Sequence, residues 1–127
     1  MKNLERGKLG EQLAAKYLTG NGFKIAAMNY HSKYGELDIV ATNHQYLLFV
    51  EVKTRKARSL VNPAEAINYP KIQKIVKTAE SFLYKQTEIC HLQPRFDVIE
   101  IVVKSGTYKL NHIKAAFDSE GIFFEEF

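Results

Sequence analysis

The sequence has almost no cysteine and no long apolar run. Cys90 is the only cysteine, so no disulfide can form within the chain, which is usual in a reducing compartment. No apolar stretch approaches the roughly 18 residues needed to span a bilayer. The charged start, MKNLERGKLGEQ, also lacks the apolar segment of a signal peptide. We therefore expect a cytoplasmic protein that does not contact a membrane.

Zinc-ligand patterns, repeats and linkers are missing as well. The four histidines show no metal-ligand spacing, and Cys90–His91 has no partners for a zinc site. A chain of 127 residues without a linker fits one domain over 1–127, long enough to bury a core. These absences argue against a zinc module and against a repeat protein.

Positive charge is in modest excess and is concentrated in two segments. The formal net charge is +4. Four basic residues lie within 53–58, and further lysines follow between 71 and 85 on a predicted helix. This placement favours an anionic partner, although each side chain could equally belong to a solvated polar face. The candidates for contacts to backbone phosphates are Arg55, Lys56, Arg58, Lys71, Lys74 and Lys77.

Hydrophobic periodicity predicts the element order αβββαββ. The predicted helices cover 4–20 and 70–86, and the predicted strands cover 23–30, 36–43, 46–54, 95–104 and 107–115. A short helical turn is also expected over 64–67, after Pro63. This order is typical of an α/β fold in which helices flank a central mixed β-sheet.

The second and third strands carry the charged residues of greatest interest. Glu36 and Asp38 share one strand face, as do Glu51 and Lys53. If the turn is at 44–45, paired residue numbers sum to 89, so Asp38 lies opposite Glu51 and Glu36 opposite Lys53. Leu37, Ile39, Val50 and Val52 would then form core on the other face.

Two carboxylates placed directly opposite each other repel unless a cation or a proton lies between them. Magnesium suits such a pair, because it takes hard oxygen ligands and keeps exchangeable waters. The competing interpretation is an ordinary cross-strand set of charges on a solvated sheet face. The opposed carboxylates favour a metal site.

Glu11 provides a separate indication. On a helical wheel, the apolar or small residues of the first helix fall within about 60° of it; they are Leu4, Gly7, Ala14, Ala15 and Leu18. Glu11 would reach the metal site if this helix packs on the charged face of the sheet. The alternative is a buried-edge glutamate held by a backbone N–H or an arginine.

These residues resemble those of the restriction-endonuclease-like nucleases with the PD-(D/E)xK signature, and more closely the YraN-like family of small bacterial proteins. The shared motifs are G-E-x-x-A (10–14), G-E-x-D (35–38), V-E-V-K-T-R (50–55), P-A-E-A (63–66), K-x-Q (71–73) and R-F-D-V (95–98). The resemblance covers nearly the whole chain, although Leu37 replaces the proline of the superfamily signature.

The resemblance implies a restriction-endonuclease-like fold and a nuclease site of Glu11, Asp38, Glu51 and Lys53. Archaeal Holliday-junction resolvases show a similar order of site residues, which suggests branched or structured DNA as substrate. Asp38 and Glu51 would bind Mg²⁺ or Mn²⁺, with the Val52 carbonyl and Glu11 or Glu36 completing the shell. Lys53 would stay charged and position the nucleophile.

Two further expectations concern function and assembly. The alternative to a nuclease is a non-catalytic nucleic-acid-binding or assembly module with the same fold. Junction cleavage needs two active sites, so that role would require a homodimer. Residues 121–124 could form its interface, although core packing is the more usual use of such a segment.

Overall fold

A computed structural model of the chain describes residues 3–57, 68–89 and 91–120. The predicted order αβββαββ is confirmed within these residues. The helices are α1 (Asn3–Gly20) and α2 (Tyr69–Lys85), and a 3₁₀ turn covers Thr87–Ile89. The strands are β1 (Lys24–Ser32), β2 (Gly35–Thr42), β3 (Tyr46–Lys56), β4 (Gln93–Lys104) and β5 (Thr107–Phe117). Within the described residues, neither helix is long and apolar enough to cross a membrane.

The five strands form one mixed sheet in the order β1-β2-β3-β4-β5. All neighbouring pairs are antiparallel except β3 and β4, which run parallel. A parallel pair needs a crossover connection, and α2 lies on the chain between these two strands. The α/β class with a central mixed sheet flanked by helices is therefore confirmed.

Local sequence explains where α2 begins and which of its faces is buried. The Asn68 side chain accepts a hydrogen bond from the N–H of Lys71 at 3.1 Å, and Pro70 occupies the first turn, where its missing N–H costs nothing. The buried residues recur at helical spacing and are Ile72, Ile75, Val76, Thr78, Ala79 and Phe82.

The two helices cover opposite faces of the sheet. Ala14 and Leu18 of α1 pack with Ile39, Val50 and other residues of the inner strands. The buried residues of α2 pack on the opposite sheet face, with Val40, Leu47, Phe49 and Phe96. Glu51 contacts α2, so α2 and not α1 covers the charged face. The condition under which Glu11 was expected to reach the site is therefore not met.

Several predictions fall outside the described residues. They are the helical turn over 64–67, the contact by Arg58, the role of Cys90 and the interface over 121–124.

Candidate functional site

The β2–β3 hairpin has the predicted register at its turn end. Asn43 accepts hydrogen bonds from the N–H groups of Gln45 and Tyr46, at 2.8 and 2.6 Å, and these bonds fix the turn. The observed pairs run from Thr42–Leu47 to Ile39–Val50, so the residue numbers sum to 89 as predicted.

Pairing between β2 and β3 ends one step before the predicted Asp38–Glu51 pair. Beyond Ile39–Val50, β2 remains paired with β1, whereas β3 remains paired with β4 as far as Lys56. The sheet therefore splits at Asp38. The Asp38 carboxylate occupies the split and accepts a hydrogen bond from the N–H of Val52 at 2.8 Å.

The split corrects two details of the predicted hairpin. Glu36 was expected opposite Lys53, but it pairs with His31 of β1, with 4.0 Å between His31 Nε2 and Glu36 Oε1. Leu37 was expected on the same face as Ile39, but it packs with Val40 in the α2-side core. Strand alternation breaks at Asp38 because β2 leaves β3 there, so side chains on either side of it face different layers.

Asp38 and Glu51 nevertheless come together at the split. Glu51 is only 6% exposed. Burial raises the pKa of the Asp38 carboxyl to about 8, and the negative charge of Glu51 and a hydrogen bond to its carboxyl act in the same direction. The Val52 N–H acts against this shift. The Asp38 carboxyl therefore carries a proton near neutral pH and is hydrogen-bonded to the carboxyl of Glu51.

Two lysines neutralise Glu51. Lys53 Nζ lies 3.1 Å and Lys71 Nζ 2.9 Å from the same oxygen, Oε1. Burial lowers the pKa of Lys53, and the nearby positive charge of Lys71 adds to this effect against the attraction of Glu51. Burial also acts to lower the pKa of Lys71, but Glu51 outweighs it and the net shift is upward. The contact between the two lysines acts in opposite directions, lowering the pKa of Lys53 and raising that of Lys71.

Glu11 reaches the edge of the site from the other face of the sheet. Burial raises its pKa, a hydrogen bond to Asn29 lowers it, and the charges of Glu36 and Glu51 raise it again. The negative charges of Glu36 and Glu51 therefore both act on the Glu11 carboxyl. Its hydrogen-bond partner is the side-chain amide of Asn29, where the alternative interpretation expected a backbone N–H or an arginine.

A glycine allows α1 to approach β3 this closely. A Cβ added at Gly10 would lie 1.7 Å from Oγ1 and 3.0 Å from Cβ of Thr54. Thr54 Oγ1 is buried and has no hydrogen-bond partner among the described residues. Only a residue without a side chain fits between the helix and the strand here. Gly10 therefore sets the position of Glu11, which follows it.

The six predicted phosphate contacts divide into four groups. Lys56, Lys74 and Lys77 are exposed, as the prediction requires. Arg55 is half-buried and pairs with Glu100, with 3.5 Å between Nη2 and Oε1. Lys71, predicted to contact phosphate, lies in the carboxylate cluster itself. Arg58 lies outside the described residues.

Asn29 was missed by the sequence analysis. It has a φ of 50° within β1, a left-handed conformation that asparagine tolerates better than most residues. It lies between Met28 and Tyr30, which pair with Ile39 and Leu37, and so stands opposite Asp38. An asparagine within an otherwise apolar strand was the only sequence signal for it.

A second buried acid lies on β4. Asp97 is fully buried and accepts hydrogen bonds from Arg95 Nε and Nη2, both at 2.8 Å, and from the Ala115 N–H at 3.0 Å. His112 Nε2 lies 2.7 Å from Asp97 Oδ2, and His112 Nδ1 lies 2.9 Å from the hydroxyl of Tyr17. Burial acts to raise the pKa of Asp97, but these partners outweigh it and the net shift is downward. This centre joins β4, β5 and α1.

Comparison with known proteins identifies the family. The model described as "Uncharacterised protein family UPF0102" matches residues 10–101, which include the whole carboxylate–lysine cluster. A UPF0102 protein of Syntrophomonas wolfei is 44% identical over 115 residues, covering 91% of this chain and 99% of its own. Another, from Caldanaerobacter subterraneus, is 41% identical over 114 residues, with 87% and 93% coverage. One from Chlorobium phaeobacteroides is 40% identical over 121 residues, with 90% and 94% coverage. The YraN-like resemblance is confirmed, and the chain belongs to the UPF0102 family.

Proposed function

We propose that the protein is a metal-dependent endonuclease that hydrolyses phosphodiester bonds of DNA, with branched or structured DNA as the substrate class. The observation that carries the proposal is the convergence of Asp38 and Glu51 at the split in the sheet, beside Lys53 and Lys71. Burying two carboxyl groups together costs stability, so their presence here favours a functional role. Shifted pKa values of this kind are typical of active sites.

The donor atoms fit Mg²⁺ or Mn²⁺. Asp38 Oδ2 accepts from the Val52 N–H and Glu51 Oε1 contacts the lysines, and loss of the proton between the two carboxyl groups frees their hydrogen-bonded oxygens for a metal. The Val52 carbonyl faces the same strand edge as its N–H and adds a third hard donor. Glu36 and Glu11 are near enough to act through charge. When bound, such a cation polarises the scissile phosphate and lowers the pKa of a coordinated water.

The two lysines have different tasks in this proposal. Lys53 is the more buried, and its lowered pKa suits a group that holds or transfers a proton of the attacking water. We expected Lys53 to stay charged because it lies beside carboxylates, whereas burial outweighs the attraction of Glu51 and lowers its pKa. Lys71 is more exposed and keeps its charge, so it suits stabilisation of negative charge on the phosphate oxygens.

Exposed lysines of β3 and α2 extend the site towards the nucleic-acid backbone. Lys56, Lys74 and Lys77 supply positive charge without reading sequence. Arg55 adds charge closer to the site, although Glu100 partly neutralises it. A homodimer would place two such sites on a branched substrate.

One observation favours the second candidate, a non-catalytic nucleic-acid-binding or assembly module. Within residues 3–57, 68–89 and 91–120, no group of three or more acidic, histidine or cysteine side chains is arranged to hold a metal. The two lysines also neutralise Glu51 without a metal ion. Two carboxylates, one carbonyl and water are nevertheless a ligand set that Mg²⁺ commonly accepts.

The test is cleavage of labelled single-stranded, duplex, flap and four-way-junction DNA with Mg²⁺ or Mn²⁺, beside an EDTA control. Glu51→Gln should lose at least about a hundredfold in rate, the scale on which one stabilising group acts. It should still bind DNA, because removing negative charge does not weaken phosphate attraction. Glu5→Gln, which changes an exposed carboxylate on α1, is the matched control. Binding without metal-dependent cleavage of any substrate would establish the second candidate.

A further inference from the structure

A groove lies away from the carboxylate cluster, between the tip of the β1–β2 hairpin and α2. Its volume is about 450 Å³. Its lining includes Lys33 and Tyr34 of the hairpin and Lys77, Glu80, Tyr84 and Lys85 of the helix. Three lysines face one glutamate, so the groove carries net positive charge.

Both tyrosines of the groove keep part of their side chain accessible to solvent. Tyr84 is 88% exposed and Tyr34 41% exposed. The Nζ atoms of Lys33 and Lys77 lie 5.2 and 5.6 Å from the centre of the Tyr34 ring. These lysines therefore flank an aromatic face, the combination that stacks unpaired bases and holds the phosphates between them.

The groove connects to the carboxylate cluster along α2. At about 100° per residue, Lys71, Lys74, Lys77, Tyr84 and Lys85 fall on one side of the helix, adjoining the buried stripe. A Cβ added at Gly35 would lie 3.5 Å from Cβ of Lys74, so the hairpin runs directly beside this row of lysines. From Lys71 to Tyr84 the helix rises roughly 20 Å.

We propose that this groove binds a single-stranded nucleic-acid flank of the substrate, with unpaired bases on Tyr34 and Tyr84 and phosphates on the lysines. The inference rests on the proposed function, because the flank leads to the carboxylate cluster. The length of the path limits the bound strand to about six nucleotides, at roughly 3.4 Å for each stacked nucleotide. Substrates with an unpaired arm are therefore held better than blunt duplexes.

The test is fluorescence anisotropy of the full chain with labelled DNA in EDTA, so that binding is measured without cleavage. The probes are a blunt duplex and the same duplex with single-stranded flanks shorter than, equal to and longer than about six nucleotides. We expect affinity to rise with flank length and to level off near six. Tyr84→Ala should weaken binding of flanked DNA about tenfold, the scale of one lost base stack, and leave blunt-duplex binding unchanged.

Matched variants separate stacking from structure. Tyr84→Phe keeps the aromatic face and should bind as wild type does. Tyr108→Ala removes another exposed tyrosine, 49% exposed on β5, and should have no effect. If Tyr84→Ala and Tyr34→Ala bind flanked DNA as tightly as wild type, or lose flanked and blunt DNA equally, the groove proposal is wrong.

The outcome is independent of the nuclease test. A chain that cuts DNA, but whose groove variants prefer flanked DNA as wild type does, overturns the groove alone. A chain that binds flanks through the groove and never cuts overturns the nuclease and keeps the groove. An RNA flank of equal length, run in parallel, shows whether the groove distinguishes the two sugars.

Discussion

Asp38 and Asp97 are both acidic residues placed inside the central sheet, but their surroundings differ. Asp97 accepts two hydrogen bonds from Arg95 and one from a backbone N–H, and it contacts His112. Asp38 accepts a hydrogen bond from one backbone N–H, and the charge that shifts its pKa most is that of another carboxylate, Glu51. Their pKa values consequently shift in opposite directions.

The contrast separates a structural acid from a functional one. A buried charge whose partners are all present fixes the strands around it, as Asp97 does for β4 and β5. Two carboxylates held together repel each other when no cation is bound. Binding of a cation relieves this repulsion and so stabilises the site. Residues that destabilise the fold locally are therefore the better candidates for function.

Removing the charge of Asp97 should have the largest effect on stability. Asp97→Asn leaves the half-buried Arg95 without its ion pair, and we expect a loss of about 3–5 kcal/mol in the free energy of unfolding at pH 7. Because folding lowers this pKa, the stabilisation is present above the ordinary value of 3.8 and disappears as the pH falls through the folded value. Urea unfolding at neutral and acid pH would measure both.

The variant and wild type should therefore become more alike in acid. A loss below about 1 kcal/mol at pH 7 would show that the Asp97 centre is not the structural acid of this comparison.

The cations of the two centres should separate activity from stability. Lys53→Met should reduce cleavage at least about a hundredfold, and Lys71→Met about tenfold, because Lys71 is more exposed and assists from the edge. Each variant keeps one lysine on Glu51, so unfolding should change by less than about 1 kcal/mol. Arg95→Met should do the reverse and lower stability while sparing the chemistry of the folded enzyme. Paired cleavage and unfolding assays measure this, and an unstable Lys53→Met would contradict it.

The close approach of α1 to β3 can be tested with two glycines. Gly10→Ala places a methyl group against Thr54 and should cost about 1–3 kcal/mol, because threonine cannot move its branched side chain away. It should also displace Glu11 and slow cleavage. Gly7→Ala on the same helix meets nothing within 4 Å and should stabilise by about 0.5–1 kcal/mol. Thermal unfolding of both variants gives the comparison, and equal effects would show that Gly10 is not a contact point.

Asp38→Asn should change the stability in the opposite direction to Asp97→Asn. The folded pKa of about 8 lies above the ordinary 3.8, so wild-type stability falls as the pH rises between these values, and the full cost applies above about 8. The asparagine can still accept from the Val52 N–H, so a gain of about 1–2 kcal/mol is expected near pH 9 and little near pH 4.

Adding Mg²⁺ to wild type and to Asp38→Asn tests whether Asp38 is a metal ligand. It should raise the melting temperature of wild type near pH 9 and leave Asp38→Asn unchanged, because the variant lacks the ligand. A variant less stable than wild type at high pH would show that Asp38 is a structural acid like Asp97.

The sequence alone determined the elements, the register at the turn end of the hairpin and three residues of the charged cluster, Asp38, Glu51 and Lys53. Period-two and helical patterns predicted the order αβββαββ, and the two-residue turn at His44–Gln45 fixed which numbers pair. Both are local properties, carried by side-chain alternation and turn geometry, so neighbouring residues suffice to predict them. The pairing of Asp38 with Glu51 followed as a candidate from the same arithmetic.

Only the tertiary structure decided how the cluster is built. Strand patterns do not say where a sheet splits, so the end of pairing at Ile39–Val50 and the altered face of Leu37 were not predictable. The sequence pattern of an amphipathic helix likewise does not predict which face of the sheet the helix covers. Lys71 reaches Glu51 because α2 packs on the charged face, and Glu11 arrives from the other face because Gly10 lets α1 approach β3 closely. These contacts join residues distant in sequence, and the packing of whole elements sets them.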